Sequence, residues 1–375
     1  MKKPLNIAIN LLYMNRRLSG GSITYGINLV NELVKLDKSN NYTIYINKDC
    51  TDLPLVLADN YTTKLIPFKN KYVYVRYFWE QLIFPFILFF KKFDLVHSPG
   101  YVGPVFCPSV HIISILDMNY KRHGESMSKS KRILLGAMVK LMSIFAKHII
   151  TISNFSKEEI CKELKVRKDK VTVTHLSGSS DNIKSNVKID LENLYNINSD
   201  YIIAFGSTSS HKNILGLIEA FDIVSKKIKD IKLVLVGFQH NNKELNDLIL
   251  KLDLLNKVSF TGFVPDEHIL PLLVGSKLFV FPSFYEGFGI PLLDAQAAGV
   301  PVASSTAASL PEVGNLAATY FDPYNIKEMA DVMKDILSNK ELSIDLIKKG
   351  LENRSKFSWH KTAIETLKCY ELVII

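Results

Sequence analysis

Residues 281–302 read FPSFYEGFGIPLLDAQAAGVPV, an order of residue types that few folds accommodate. The apolar run before them predicts a buried strand ending at Ser283. Pro291 suits the first turn of a helix, where a missing N–H costs nothing and φ is already helical. Between strand and helix stands the Gly-x-Gly turn Gly287-Phe288-Gly289. Residues 300–304 then predict another strand. Strand, Gly-rich turn, helix and parallel strand make the repeating unit of a doubly wound α/β sheet.

The same order recurs along the chain. Residues 7–9, 42–46, 95–97, 111–116 and 148–152 predict strands. Ile27, Val30, Leu33, Val34 and Leu36 have helical spacing, and Ser153 or Asn154 caps a helix through residues 157–164. A second series begins at 201–205, with strands also at 232–236, 258–261 and 278–281 and an amphipathic helix over 213–227. Residues 178–198 are rich in Ser, Asn and Asp, as a linker would be. A length of 375 residues suits two such domains. The predicted fold is α/β, with two Rossmann-like domains facing a cleft. An N-terminal domain covers 1–180, a linker 181–198, a second domain 199–356 and a C-terminal helix 357–375. Ser358 is a plausible N-cap for that helix, and Trp359, Leu367 and Tyr370 give it an apolar face.

Charge is divided unevenly. Residues 1–180 hold 26 Lys and Arg against 13 Asp and Glu, while residues 181–375 hold 20 against 24. A basic first half suits an anionic partner: nucleic acid, a lipid surface or a phosphorylated substrate. The cysteines at 50, 107, 161 and 369 are too scattered for a CxxC pair or zinc knuckle, and they suit a reducing compartment. The longest apolar run, residues 82–90, is shorter than a membrane span and contains Pro85. The N-terminus lacks a signal-peptide core, so a cytoplasmic location is expected. Residues 69–93 and 121–147 set aromatic and aliphatic side chains beside basic clusters. Both segments suit either an anionic membrane surface or core helices with solvated basic faces.

The turn at 286–290 is the natural candidate site. Helix N-terminal amides suit a phosphate. Glu286 stands at the carboxyl end of a strand, where open α/β sheets bind ligands, and can accept hydrogen bonds from sugar hydroxyls. Asp294, eight residues on, is expected about two helical turns away. As a plain tight connection, the same turn would carry no ligand and its acids would be surface charges.

The segment strongly resembles the retaining glycosyltransferases of family 4, which have the GT-B fold. The shared residues are Pro282-Ser283, Glu286 to Gly289, Pro291, Ala295, Ala297, Gly299, Pro301-Val302, Ser304 or Ser305, and Leu310-Pro311-Glu312-Val313. Lys212-Asn213, Gly262-Phe263-Val264, Phe321-Asp322-Pro323 and Phe357-Ser358-Trp359 extend the likeness across the second domain. Gly20-Gly21 and Asp94-Leu95-Val96-His97 extend it loosely into the first.

The resemblance implies a role for each matching position. Glu286 orients the donor sugar, and Gly287, Phe288, Gly289 and Ile290 hold sugar and phosphate. Asp294, one methylene shorter than the usual Glu, holds the ribose. Lys212 meets the diphosphate, and Gly262, Phe263 and Val264 read the base. Gly20 and Gly21 close on the donor. Ser207 and His211 stand where relatives often carry arginines. Leu116, followed by Asp117, stands where they often carry a histidine. Asp117 or His97 is the candidate substitute, with Tyr101 beside them on the acceptor side; a structural role for His97 is equally open. The expected catalytic set is Glu286, Lys212 and Asp117. The C-terminal helix is expected to cross back to the first domain.

The implied activity is transfer of a sugar from a nucleotide-diphosphate sugar, GDP-mannose as first guess, with retention. The acceptor is a saccharide or a polyprenyl-diphosphate-linked sugar, as in O-antigen or capsule synthesis. The chain contains no Asp-x-Asp, and neither a metal nor another cofactor is expected. Peripheral contact with the inner face of the cytoplasmic membrane goes with this reading. A nucleotide-sugar epimerase on the same fold is one competing reading. A non-enzymatic nucleic-acid or anionic-surface binder is the other, but no nucleic-acid motif is visible.

Overall fold

The computed structural model describes residues 3–15, 20–56, 58–69, 73–124, 127–179, 189–206, 209–237 and 242–374. The chain divides into two compact units, Met1–Leu176 with Trp359–Ile375, and Ser177–Ser358.

The first unit holds strands β1 (Asn6–Asn10), β2 (Asn41–Asn47), β3 (Tyr61–Ile66), β4 (Leu95–Ser98), β5 (Val110–Ser114), β6 (His148–Thr151) and β7 (Val171–Val173). They form a seven-stranded sheet in the order β3-β2-β1-β4-β5-β6-β7, and each pairing is parallel. Helices cover both faces. One core gathers Ile113, Ile115, Met138, Met142 and Ile149, and another gathers Ala8, Phe84, Leu88 and Val96. With both faces buried, the inner strands become the short continuous apolar runs that the sequence displays. The C-terminal helix Trp359–Ile374 belongs to this unit and packs on helix Gly21–Leu36.

The second unit holds β8 (Asp200–Phe205), β9 (Ile231–Val236), β10 (Val258–Phe260), β11 (Leu278–Phe281), β12 (Val302–Ser305) and β13 (Thr319–Phe321). Their order is β10-β9-β8-β11-β12-β13, again wholly parallel. Helices Ile214–Ser225 and Ile326–Ser338 bury Leu217, Phe221, Met329 and Met333 against Ile202, Leu233 and Val280. Strand order reverses between β8 and β11, which opens a crevice at their carboxyl ends.

Several boundaries differ from expectation. The strand before the Gly-x-Gly turn ends at Phe281 rather than Ser283, because Pro282 has no N–H to continue the ladder. The strand expected over 111–116 ends at Ser114, leaving Leu116 and Asp117 in the following loop. Part of the segment read as linker is a helix, Leu191–Tyr195; Asp190 caps it by accepting from Asn193 N at 3.0 Å.

Candidate functional site

The crevice of the second unit collects two loops. The first follows β8 and forms a single turn, Ser210–Lys212, ending at Asn213 in the left-handed region (φ 52°). The second follows β11 and leads through Glu286 and Gly289 into helix Ile290–Ala297, with Pro291 in its first turn. Gly289 has φ 119°, which favours glycine, and a Cβ there would lie 2.9 Å from Leu310 Cδ2, so that side chain would have to shift as well.

A hydrogen-bonded frame fixes the two loops to each other. Phe284 N donates to His211 O at 2.7 Å. Buried Asn213 donates from Nδ2 to Pro282 O at 3.1 Å and to Pro323 O at 2.8 Å. Ser305 Oγ donates to Ser283 O at 2.6 Å. Ser309 Oγ lies 2.8 Å from both Glu286 O and Phe288 O and shares its one hydrogen between them. Ser309 was not singled out in the sequence; its place directly before Leu310-Pro311-Glu312-Val313 was the available signal.

Within this frame Lys212 Nζ donates to Glu286 Oε1 at 2.7 Å and stands 5.6 Å from the centre of the Phe281 ring. Two side chains 74 positions apart in the chain therefore meet at the point where strand order reverses. An ammonium has three N–H donors, so one can hold Glu286 while others meet a further acceptor. The first-turn amides of helix Ile290–Ala297 lie in the same loop as Glu286.

The other proposed donor contacts fall in different places. Gly262 lies in the loop two residues after β10 with φ 67°, and its carbonyl accepts from Gly237 N at 3.2 Å. Phe263 is exposed, whereas Val264 is buried. Ser207 lies outside the described residues. Asp294 requires a correction. Glu286 precedes the helix, so the two acids are not two turns apart on one helix face. The Asp294 carboxylate is 3% exposed and accepts from Ser179 Oγ at 2.8 Å.

In the first unit, Gly20 caps helix Gly21–Leu36, in which Gly21 is the first residue, at the end of the loop after β1. Tyr101 and Asp117 come together: the phenol donates to Asp117 Oδ1 at 2.8 Å, and the same oxygen accepts from Asn119 N at 2.9 Å. His97 is a core residue with no exposed surface, which corrects its placement on the acceptor side. Its Nδ1 lies 2.7 Å from Tyr370 Oη on the C-terminal helix, and its Nε2 lies 2.9 Å from Ser114 Oγ. Burial, with neighbouring His111 adding to it, pushes the His97 pKa down to about 3. Burial pushes His111 down to about 4.

These two histidines are neutral in the folded unit and ordinary bases once it unfolds. Their stabilisation is complete above about pH 6.5 and is lost as pH falls towards their folded values. Each adds a slope of up to about 1.4 kcal/mol per pH unit over that window. Melting curves from pH 7 to 4.5 should therefore decline less steeply for His97→Gln than for the parent. Parallel declines would contradict this account of His97.

Residues 189–353 match the family described as glycosyl transferases group 1. The O-antigen chain mannosyltransferase B of Escherichia coli is 31% identical over 233 residues, which cover 61% of this chain and 61% of that protein. The match thus spans less than two thirds of that relative's length. A sucrose-phosphate synthase from Thermosynechococcus elongatus superposes with a TM-score of 0.76 at 16% identity, covering 98% of this chain and 99% of that one. Anabaena HepE, solved in complex with UDP and glucose, gives 0.75 at 16% identity over 98% and 99%. At such identities the likeness concerns fold alone, and that fold is GT-B, with two parallel-sheet α/β domains. The Lys212–Glu286 pair lies within residues 189–353, the region that is similar to the glycosyl transferases group 1 family.

Proposed function

We propose that this chain transfers a sugar, mannose as first candidate, from a nucleotide-diphosphate sugar to a saccharide or lipid-diphosphate-linked acceptor, with retention, in surface-polysaccharide synthesis. The observation that carries the reading is the 2.7 Å contact between Lys212 and Glu286 at the carboxyl ends of β8 and β11. A cation for the leaving diphosphate and a carboxylate for sugar hydroxyls stand side by side, next to a helix N-terminus. The likeness to an O-antigen mannosyltransferase supports the choice of mannose and of a polysaccharide product.

Glycosyl transfer builds positive charge on the sugar ring and negative charge on the departing phosphate. Lys212 and the amides at the start of helix Ile290–Ala297 stabilise the second charge; Glu286 orients the sugar. In front-face retention the leaving phosphate takes the acceptor's proton, so no covalent enzyme nucleophile is needed. The second carboxylate, Asp294, already accepts from Ser179 on Oδ2 and has further acceptor sites for the ribose hydroxyls.

A thermal-shift screen over GDP-, UDP-, dTDP- and ADP-sugars tests the donor. GDP-mannose at about 100 times its Kd should raise the melting temperature by about 5–11 °C. No shift with any of the four would overturn the reading. Because the diphosphate is met by a lysine and amides, transferase activity should persist in excess chelator. Loss of activity that magnesium or manganese restores would contradict metal independence.

A further inference from the structure

Helix Val73–Phe78, a π-turn over Trp79–Ile83 and helix Phe84–Lys91 run on as one helical rod with two unlike faces. Arg76, Glu80, Phe84 and Leu88, four apart, are buried in the first unit. Glu80 is tied down there by Asn10 Nδ2 at 2.9 Å and by Arg76. The exposed positions from 73 to 90 are Tyr74, Val75, Phe78, Leu82, Ile83, Phe86, Phe89 and Phe90, none of them charged. A helix that faces water is normally polar on that side. This one inverts the rule, with Phe86 66% and Phe90 75% exposed. The sequence alternative of core helices with solvated basic faces therefore fails here. The rod is long and apolar enough to cross a membrane, and only 28% of its apolar window is buried.

The exposed phenylalanines do not stand alone. Phe86, Phe89 and Phe90 line a groove of about 870 Å³ whose other wall carries Phe106 and Phe145. Phe106 is 74% exposed, and its ring centre is 5.5 Å from that of Phe145. Lys147 also lines the groove, and Lys91 and Lys92 end the rod; all three are exposed. The groove reaches Val110 and Lys147, at the amino ends of β5 and β6, and so leaves the carboxyl edge of the sheet clear.

We propose that this face binds an anionic phospholipid bilayer. The rod lies along the interface, the phenylalanines enter the acyl region, and Lys91, Lys92 and Lys147 meet headgroup phosphates. An apolar stripe rimmed by lysines and free of exposed acids complements such a surface in shape and in sign. The excess of basic over acidic residues in the first 180 positions favours it over a neutral protein groove. The inference stands independently of the transfer reaction proposed above.

Flotation of the full chain with vesicles tests it. The parent should float with phosphatidylglycerol-containing vesicles at about 0.1 M salt, and at least about tenfold less at about 0.5 M. Phe86→Ser with Phe90→Ser should lower partition at least about tenfold. Lys91→Glu with Lys92→Glu should do the same on anionic vesicles while leaving the melting temperature unchanged. If the serine variant folds poorly, the lysine pair decides. A parent that stays unbound, or variants that bind like the parent, would overturn the proposal. So would a serine variant that only converts a dimer to a monomer and still binds vesicles, since the face would then join two copies of this chain.

Discussion

Lys212→Ala should lower kcat for sugar transfer by roughly 10²- to 10³-fold, the usual effect of removing one preorganised donor from developing oxyanion charge. The effect should fall on kcat more than on KM, because charge on the leaving diphosphate is greatest in the transition state. Folding should hardly change. The Lys212–Glu286 pair is 20% and 14% exposed and bridges two loops that backbone bonds already hold together. A partly solvated pair of this kind contributes about 1 kcal/mol or less. Lys212→Arg should recover part of the activity by keeping the charge, although its planar fork differs from a point ammonium. A Lys212→Ala protein with parental kcat, on the same substrate, would remove the cation from the mechanism.

Asn213→Ala should act through the frame. Its amide satisfies two buried carbonyls, Pro282 O and Pro323 O, and its φ of 52° suits Asn better than Ala. Leaving both carbonyls unpaired costs about 1–3 kcal/mol each. We expect a loss of roughly 2–5 kcal/mol in urea unfolding. A fall in kcat should accompany it, because Asn213 holds the Lys212 turn against the end of β11. A change below about 0.5 kcal/mol would show that these bonds do not hold the frame.

How much of this was legible in the sequence depends on where each residue lies in the sheet. Ile7, Val96, Ile203 and Val280 sit on inner strands buried on both faces, so their apolar runs stood out. β3, β7 and β13 were not foreseen, and all three lie at sheet edges. β3 carries exposed Lys64 and Leu65, while β7 and β13 have three residues each. An edge strand is not enclosed on all sides and leaves little periodicity to read. The Glu286–Gly289 turn was legible because local chemistry sets it: a proline that ends a strand, a glycine at positive φ and a proline in the first helical turn. The Lys212–Glu286 contact follows from strand order, which local pattern does not encode. The burial of His97 depends on Tyr370, 273 positions away. Ser179 on Asp294 depends on a contact across 115 positions.

The most direct test of the central claim is a crystal structure of the full chain with a nucleotide sugar. A diphosphate oxygen within hydrogen-bonding distance of Lys212 Nζ, with another facing the first-turn amides of helix Ile290–Ala297 and the sugar hydroxyls on Glu286, is the predicted result. A nucleotide bound away from the ends of β8 and β11, with Lys212 and Glu286 touching no part of it, would contradict the account.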